Sequence, residues 1–149
     1  MTSNPICILQ AEDSLGDAQL TRLALQEGNV PHDLHHVRDG IEALQFLRNE
    51  APFSDAPRPD LVLLDLNMPR LSGHEVLAAM KTDPMLCSIP VIALTTSNAP
   101  NDVARSYELH VNSYVRKPID FDQFVDVMRC IERFWMETAV LPDPRRVAP

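Results

Sequence analysis

Leu61-Val62-Leu63-Leu64 is a run of apolar residues with no polar alternation, the pattern of a strand buried on both faces in a parallel sheet covered by helices. Ile6-Cys7-Ile8-Leu9 and Ile89-Pro90-Val91-Ile92-Ala93-Leu94 read the same way. Asp33 to Val37 and Ser113 to Arg116 predict shorter second and fifth strands. Between the strands the apolar spacing becomes helical. Ser14, with Asp17 three residues on, resembles a capping box and opens a helix that carries Leu20, Leu23, Ala24 and Leu25 inward until Gly28-Asn29. After an Asp39-Gly40 turn, helices are predicted over Ile41 to Asn49, Ser72 to Thr82 (core stripe Val76, Leu77, Met80) and Asn101 to Leu109. A last one runs from Asp120 to about Glu137, with Phe121, Phe124, Val127 or Met128, Ile131 and Phe134 or Trp135 on its inward stripe. Pro52, Pro57 and Pro59 make residues 51–60 an irregular loop. Strand and helix alternating five times predict a doubly wound (βα)5 α/β fold, a three-layer sandwich on a parallel sheet.

In such a sheet with strand order 2-1-3-4-5, the carboxyl ends of strands one, three, four and five converge at the switch point. Polar residues stand at those ends. The first strand runs through Gln10 and Ala11 into Glu12-Asp13, the third into Asp65, the fourth into Thr95-Thr96-Ser97 and the fifth into Lys117-Pro118. Close acids repel one another and favour a hard divalent cation such as Mg²⁺. Asp65 is then placed to attack phosphorus as a carboxylate nucleophile, while Mg²⁺, Lys117 and Thr95 each take a phosphoryl oxygen. Asp17 is assigned to the helix cap rather than to this site. His32, His35 and His36 are not expected to bind metal, because His35 and His36 point to opposite faces of a strand.

Composition narrows the function classes. A chain of 149 residues, 45% hydrophobic, fits one domain with a full core. A formal charge of -8 argues against sequence-independent binding to nucleic acid or to an anionic membrane. No apolar run reaches the length of a membrane span and no secretory signal is visible, so a cytoplasmic location is expected. Cys7, Cys87 and Cys130 have no metal-ligand spacing and read as ordinary thiols.

The Glu12-Asp13 pair, Asp65 within Leu-Leu-Asp-Leu-Asn-Met-Pro-x-x-x-Gly, Thr95 and Lys117-Pro118 together resemble the motifs of response-regulator receiver domains over residues 6 to about 135. The resemblance implies a flavodoxin-like receiver over residues 1–137 with a 138–149 extension and no separate output domain. It implies a phosphoacceptor rather than an enzyme, taking a phosphoryl group on Asp65 from a sensor histidine kinase. Asp13, Asp65 and the Asn67 carbonyl would ligate Mg²⁺, with Glu12 acting mainly through water. Thr95 and Tyr114 would form a switch, and Lys117-Pro118 would be cis, at modest cost for an X-Pro bond. The segments 106–114 and 131–142 resemble single-domain regulators partnered with bacterial phytochrome kinases, which implies that partner and allows for a phosphotransfer protein downstream. Phe134, Trp135, Met136, Val140 and Leu141 offer apolar surface for a homodimer, the alternative being a tail that folds back on its own domain. Two departures stand out: His110 fills a turn where glycine is usual, and Thr96, larger than the family's alanine, is expected to hinder access to the phosphoryl group. Gln10 has no account. Two other readings remain: a haloacid-dehalogenase-type phosphatase, whose second aspartate is replaced by Asn67, and a pseudo-receiver that binds partners without phosphorylation.

Overall fold

The computed structural model describes residues 5–142; residues 143–149 of the expected extension lie outside the described residues. Five strands, β1 (Ile6–Ala11), β2 (His32–Val37), β3 (Leu61–Leu64), β4 (Val91–Thr95) and β5 (Ser113–Arg116), alternate with five helices. These are α1 (Leu15–Glu27), α2 (Gly40–Leu47), α3 (Gly73–Thr82), α4 (Pro100–Glu108) and α5 (Phe121–Ile131). The strands are parallel in the order β2-β1-β3-β4-β5, as the alternation of buried strand and amphipathic helix requires.

Successive side chains of a strand leave the sheet on opposite faces, so each central strand feeds two cores. Leu9, Val62, Leu64 and Ala93 pack with Phe46, Leu77 and Met80 of α2 and α3. Ile8, Leu63 and Ile92 pack with Leu25 of α1 and Phe124, Met128 and Ile131 of α5. All four residues of β3 are buried.

Several boundaries differ from the sequence reading. β4 begins at Val91, because Pro90 has no N–H to donate; its carbonyl instead accepts from Val62 N at 3.0 Å. Asp39 is the N-cap of α2, its carboxylate accepting from Glu42 N at 2.8 Å, and not a free turn residue. Leu23 is 42% and Phe121 46% exposed, not inward. The inward stripe of α1 is Ala18, Thr21, Ala24 and Leu25. After α5 the chain widens into a π-helical segment, Glu132–Thr138. That five-residue step places Met136, 8% exposed, below Ile131 and leaves Phe134 54% exposed.

Candidate functional site

Ladder hydrogen bonds continue past the strand ends and fix the site's backbone. Glu12 N donates to Val37 O at 3.0 Å, Asp65 N to Ala11 O at 3.0 Å and Lys117 N to Thr95 O at 2.7 Å. Each polar residue is therefore held by the neighbouring strand. The fold brings together one carboxylate oxygen each from Glu12, Asp13 and Asp65, all within 4.8 Å of one another. Glu12 and Asp65 are buried, Asp13 is exposed, so the trio opens to solvent on one side.

Three acids this close are poorly compatible with three negative charges. Burial, reinforced by Asp65 and opposed by Lys117, pushes the Glu12 carboxyl up to about 7. An all-oxygen donor set short of positive charge fits a hard divalent cation. Asp65 is further oriented by Asn67 N, which donates to its Oδ1 at 3.2 Å. Gly73 lets the start of α3 close on this turn: its N–H donates to Leu66 O at 3.0 Å, and a Cβ there would meet the Asp65 carbonyl and stand 2.6 Å from Leu66 Cα.

Lys117 is 7% exposed and shared among carboxylates. Its Nζ donates to Glu12 Oε1 at 2.6 Å and Asp17 Oδ2 at 2.9 Å, and stands 3.9 Å from Asp65 Oδ2. Burial opposes the ammonium charge, but the two hydrogen-bonded acids outweigh it and hold the Lys117 pKa above the ordinary lysine value. Asp17 is thus a residue of the site that the capping-box reading missed. Its backbone N–H does reach Ser14 Oγ at 3.2 Å, but its carboxylate turns to Lys117. The Lys117-Pro118 peptide is trans, against the expectation of a cis bond; the one cis bond among the described residues precedes Pro52. A trans X-Pro bond is the more stable isomer by about 0.5–1 kcal/mol, and here it is compatible with Lys117 reaching the acids.

The hydroxyl side of the site lies on the other face of the sheet. Thr95 is fully buried, in register with Arg116, and shares its face of β4 with Ala93, whose partner is Tyr114. Tyr114 is half-buried against the core under α3 and α4, with its Oη donating to Ser97 O at 2.7 Å. Ser97 Oγ in turn donates to Asp102 Oδ2 at 2.6 Å in the first turn of α4. The loop after Thr95 is thereby tied to both β5 and α4. Thr96 is exposed and lines a cleft of about 260 Å³ with Asp17, Lys117 and Phe124.

Among the described residues the histidines form no metal cluster. His36 Nε2 bonds to Glu12 O at 2.7 Å, while the His35 ring lies 5.4 Å from Phe46 on the opposite face. Far from the acids, Phe134 and Trp135 meet edge to face at 5.2 Å, beside a cleft of about 280 Å³ that they line with Val115, Val127, Cys130 and Ile131. Leu141 is half-buried and Val140 97% exposed. Gln10 is 3% exposed with no hydrogen-bond partner for Oε1, and nothing in the structure explains it.

Fold and site define a class of protein: a doubly wound α/β domain with a cluster of carboxylates at the sheet's switch point. The chain belongs to the response regulator receiver domain family, whose profile matches residues 8–129. It is therefore a two-component phosphoacceptor, in a family whose members bind a divalent metal at the acidic cluster. It is 44% identical to response regulator Rcp1 of a Synechocystis species over 138 residues, 93% of this chain and 94% of that one. The crystal structure of the phosphorylated cyanobacterial phytochrome response regulator RcpA superposes with a TM-score of 0.91 at 45% identity, covering 94% of this chain and all of that one. The Mn²⁺-bound form of Rcp1 superposes at 0.90 with 44% identity, covering 93% of this chain and all of that one.

Proposed function

We propose that this chain accepts a phosphoryl group on Asp65 from the histidine of a sensor kinase, and that the kinase is a bacterial phytochrome. The observation that carries the acceptor assignment is the place of Asp65: a buried carboxylate of the acidic trio at the end of the central strand β3, 3.9 Å from the Lys117 ammonium and not hydrogen-bonded to it, whereas Glu12, the other buried acid, already holds Lys117 at 2.6 Å. The phytochrome assignment rests on the likeness to Rcp1 and RcpA. Asp65 attacks phosphorus through a carboxylate oxygen, the bond to the kinase histidine breaks, and Lys117 and the Thr95 hydroxyl each take a phosphoryl oxygen. The cation would be Mg²⁺, which Asp13, Asp65 and the Asn67 carbonyl would hold, with Glu12 acting through water; when bound it would neutralise charge on the phosphoryl oxygens. The phosphoryl group is transferred and later hydrolysed by the chain's own residues.

Thr95 and Tyr114 constitute the switch. Drawing the Thr95 hydroxyl toward Asp65 moves the loop on which Ser97 holds both the Tyr114 hydroxyl and Asp102, so that α4 and β5 register the change. The chain acts in the cytoplasm; no helix among the described residues is long and apolar enough to cross a membrane. Phe134, Trp135 and Leu141 form a homodimer contact, which a chain ending at Arg133 should lose in a solution-mass measurement. A phosphotransfer protein is a suitable downstream partner.

Incubating a phosphorylated phytochrome kinase with wild type and Asp65→Asn tests the reading. Label should pass to wild type only; equal labelling of the variant would sink the assignment of Asp65.

A further inference from the structure

The geometry points to Asp17 as a positioning residue that competes with the phosphoryl group for Lys117. The inference rests on Asp65 being the acceptor and adds a residue outside the acidic trio to the reaction. Asp17 occupies the third position of α1, where the glutamate or glutamine of a capping box turns back to the N-cap backbone N–H. In α3 that box closes both ways: Glu75 N donates to Ser72 Oγ at 3.3 Å and Ser72 N to Glu75 Oε1 at 3.2 Å. In α1 it does not: Asp17 is one methylene shorter than Glu75, and Ser14 N already donates to Glu12 Oε2 at 3.1 Å. The Asp17 carboxylate is released from the cap and takes the Lys117 ammonium at 2.9 Å.

Lys117 thus sits a hydrogen bond from Glu12 and from Asp17, and a full ångström farther from Asp65, at 3.9 Å. Of the two hydrogen-bonded acids, Asp17 alone is outside the trio and 40% exposed, so water can replace the ammonium at its carboxylate when Lys117 leaves. Phosphorylated Asp65 offers Lys117 anionic oxygens near that 3.9 Å position. In closing on one of them Nζ keeps Glu12, the nearer and more buried acid, and gives up the more exposed Asp17. The pair is an ordinary salt bridge with a partly exposed partner, so its loss should favour the phosphorylated geometry modestly.

The test is the affinity for beryllofluoride, a phosphoryl mimic, in saturating Mg²⁺. Asp17→Asn should bind about two- to fivefold more tightly than wild type, the range expected for removing a partly exposed ion pair. The same change in a Lys117→Gln background should produce no gain. Unchanged or weaker binding by Asp17→Asn, or an equal gain without Lys117, would overturn the inference. A double-mutant cycle on the unfolding of the ligand-free proteins reads the same pair without ligand: positions 17 and 117 should be coupled, and additivity would also overturn it. A wild type that binds no beryllofluoride at all would instead count against Asp65 as the acceptor.

Discussion

Asp65 and Gly73 are joined by contact as well as by spacing in the sequence. The helix that follows Asp65 starts against the Asp65 carbonyl, and only a residue without Cβ fits. Gly73→Ala should therefore cost about 1–3 kcal/mol, as overpacking of a close contact does, and slow phosphorylation by shifting the Asp65 backbone; a melting curve and a phosphorylation time course equal to wild type would contradict this. At this scale the sequence was legible wherever a residue type had one use at a strand end: Glu12, Asp65, Thr95 and Lys117 stand where their positions in the alternation put them. Asp17 was not legible. Its spacing from Ser14 satisfies the cap pattern, and the fact that Glu12 takes the N-cap N–H depends on how β1 delivers Glu12, which no local pattern encodes.

Elements were read correctly in kind and order, and went wrong at their ends. The turn after α4 is a case where an expected strain is real and compensated. His110 adopts φ 69°, a left-handed conformation that costs a non-glycine residue about 1–2 kcal/mol. His110 N donates to Tyr107 O at 2.9 Å and Val111 N to Ser106 O at 3.0 Å, closing both bonds of a Schellman cap, and the 6% exposed Val111 anchors the turn in the core. The π-helical step after α5 was invisible to a periodicity count, which continued the 3.6-residue stripe to Phe134 or Trp135. That step also buries Glu132 against Gly28 at the end of α1. Burial, with Glu137 nearby, raises the Glu132 pKa above the ordinary 4.5, while Arg129 and His32 oppose the shift. A carboxyl with a raised pKa binds more protons folded than unfolded, so its contribution to stability is present below 4.5 and is lost as pH rises through the folded pKa. Glu132→Gln should accordingly raise the melting temperature at pH 7 relative to wild type and give less or no gain at pH 4; a gain of equal size at both would contradict the burial argument.

The whole molecule follows from two rules that the sequence does carry: buried parallel strands need helices on both faces, and the ends of an open sheet converge where the strand order reverses. Those rules place the acids, the hydroxyl and the lysine at the carboxyl ends of the strands around the switch point. They could not say on which side of the sheet each partner lies. Glu12, Asp17 and Lys117 meet beside α1, whereas Thr95 and Tyr114 lie under α3 and α4. Under the proposed switch, chemistry at Asp65 would reach a surface on the other side through the loop of Ser97, which holds Tyr114 and Asp102. The intact mass of wild type and Asp65→Asn after incubation with acetyl phosphate, with and without Mg²⁺, tests this account most directly. The account predicts a single phosphate adduct on wild type, absent without the metal and absent from the variant; an adduct of equal yield on Asp65→Asn, or one indifferent to Mg²⁺, would contradict it.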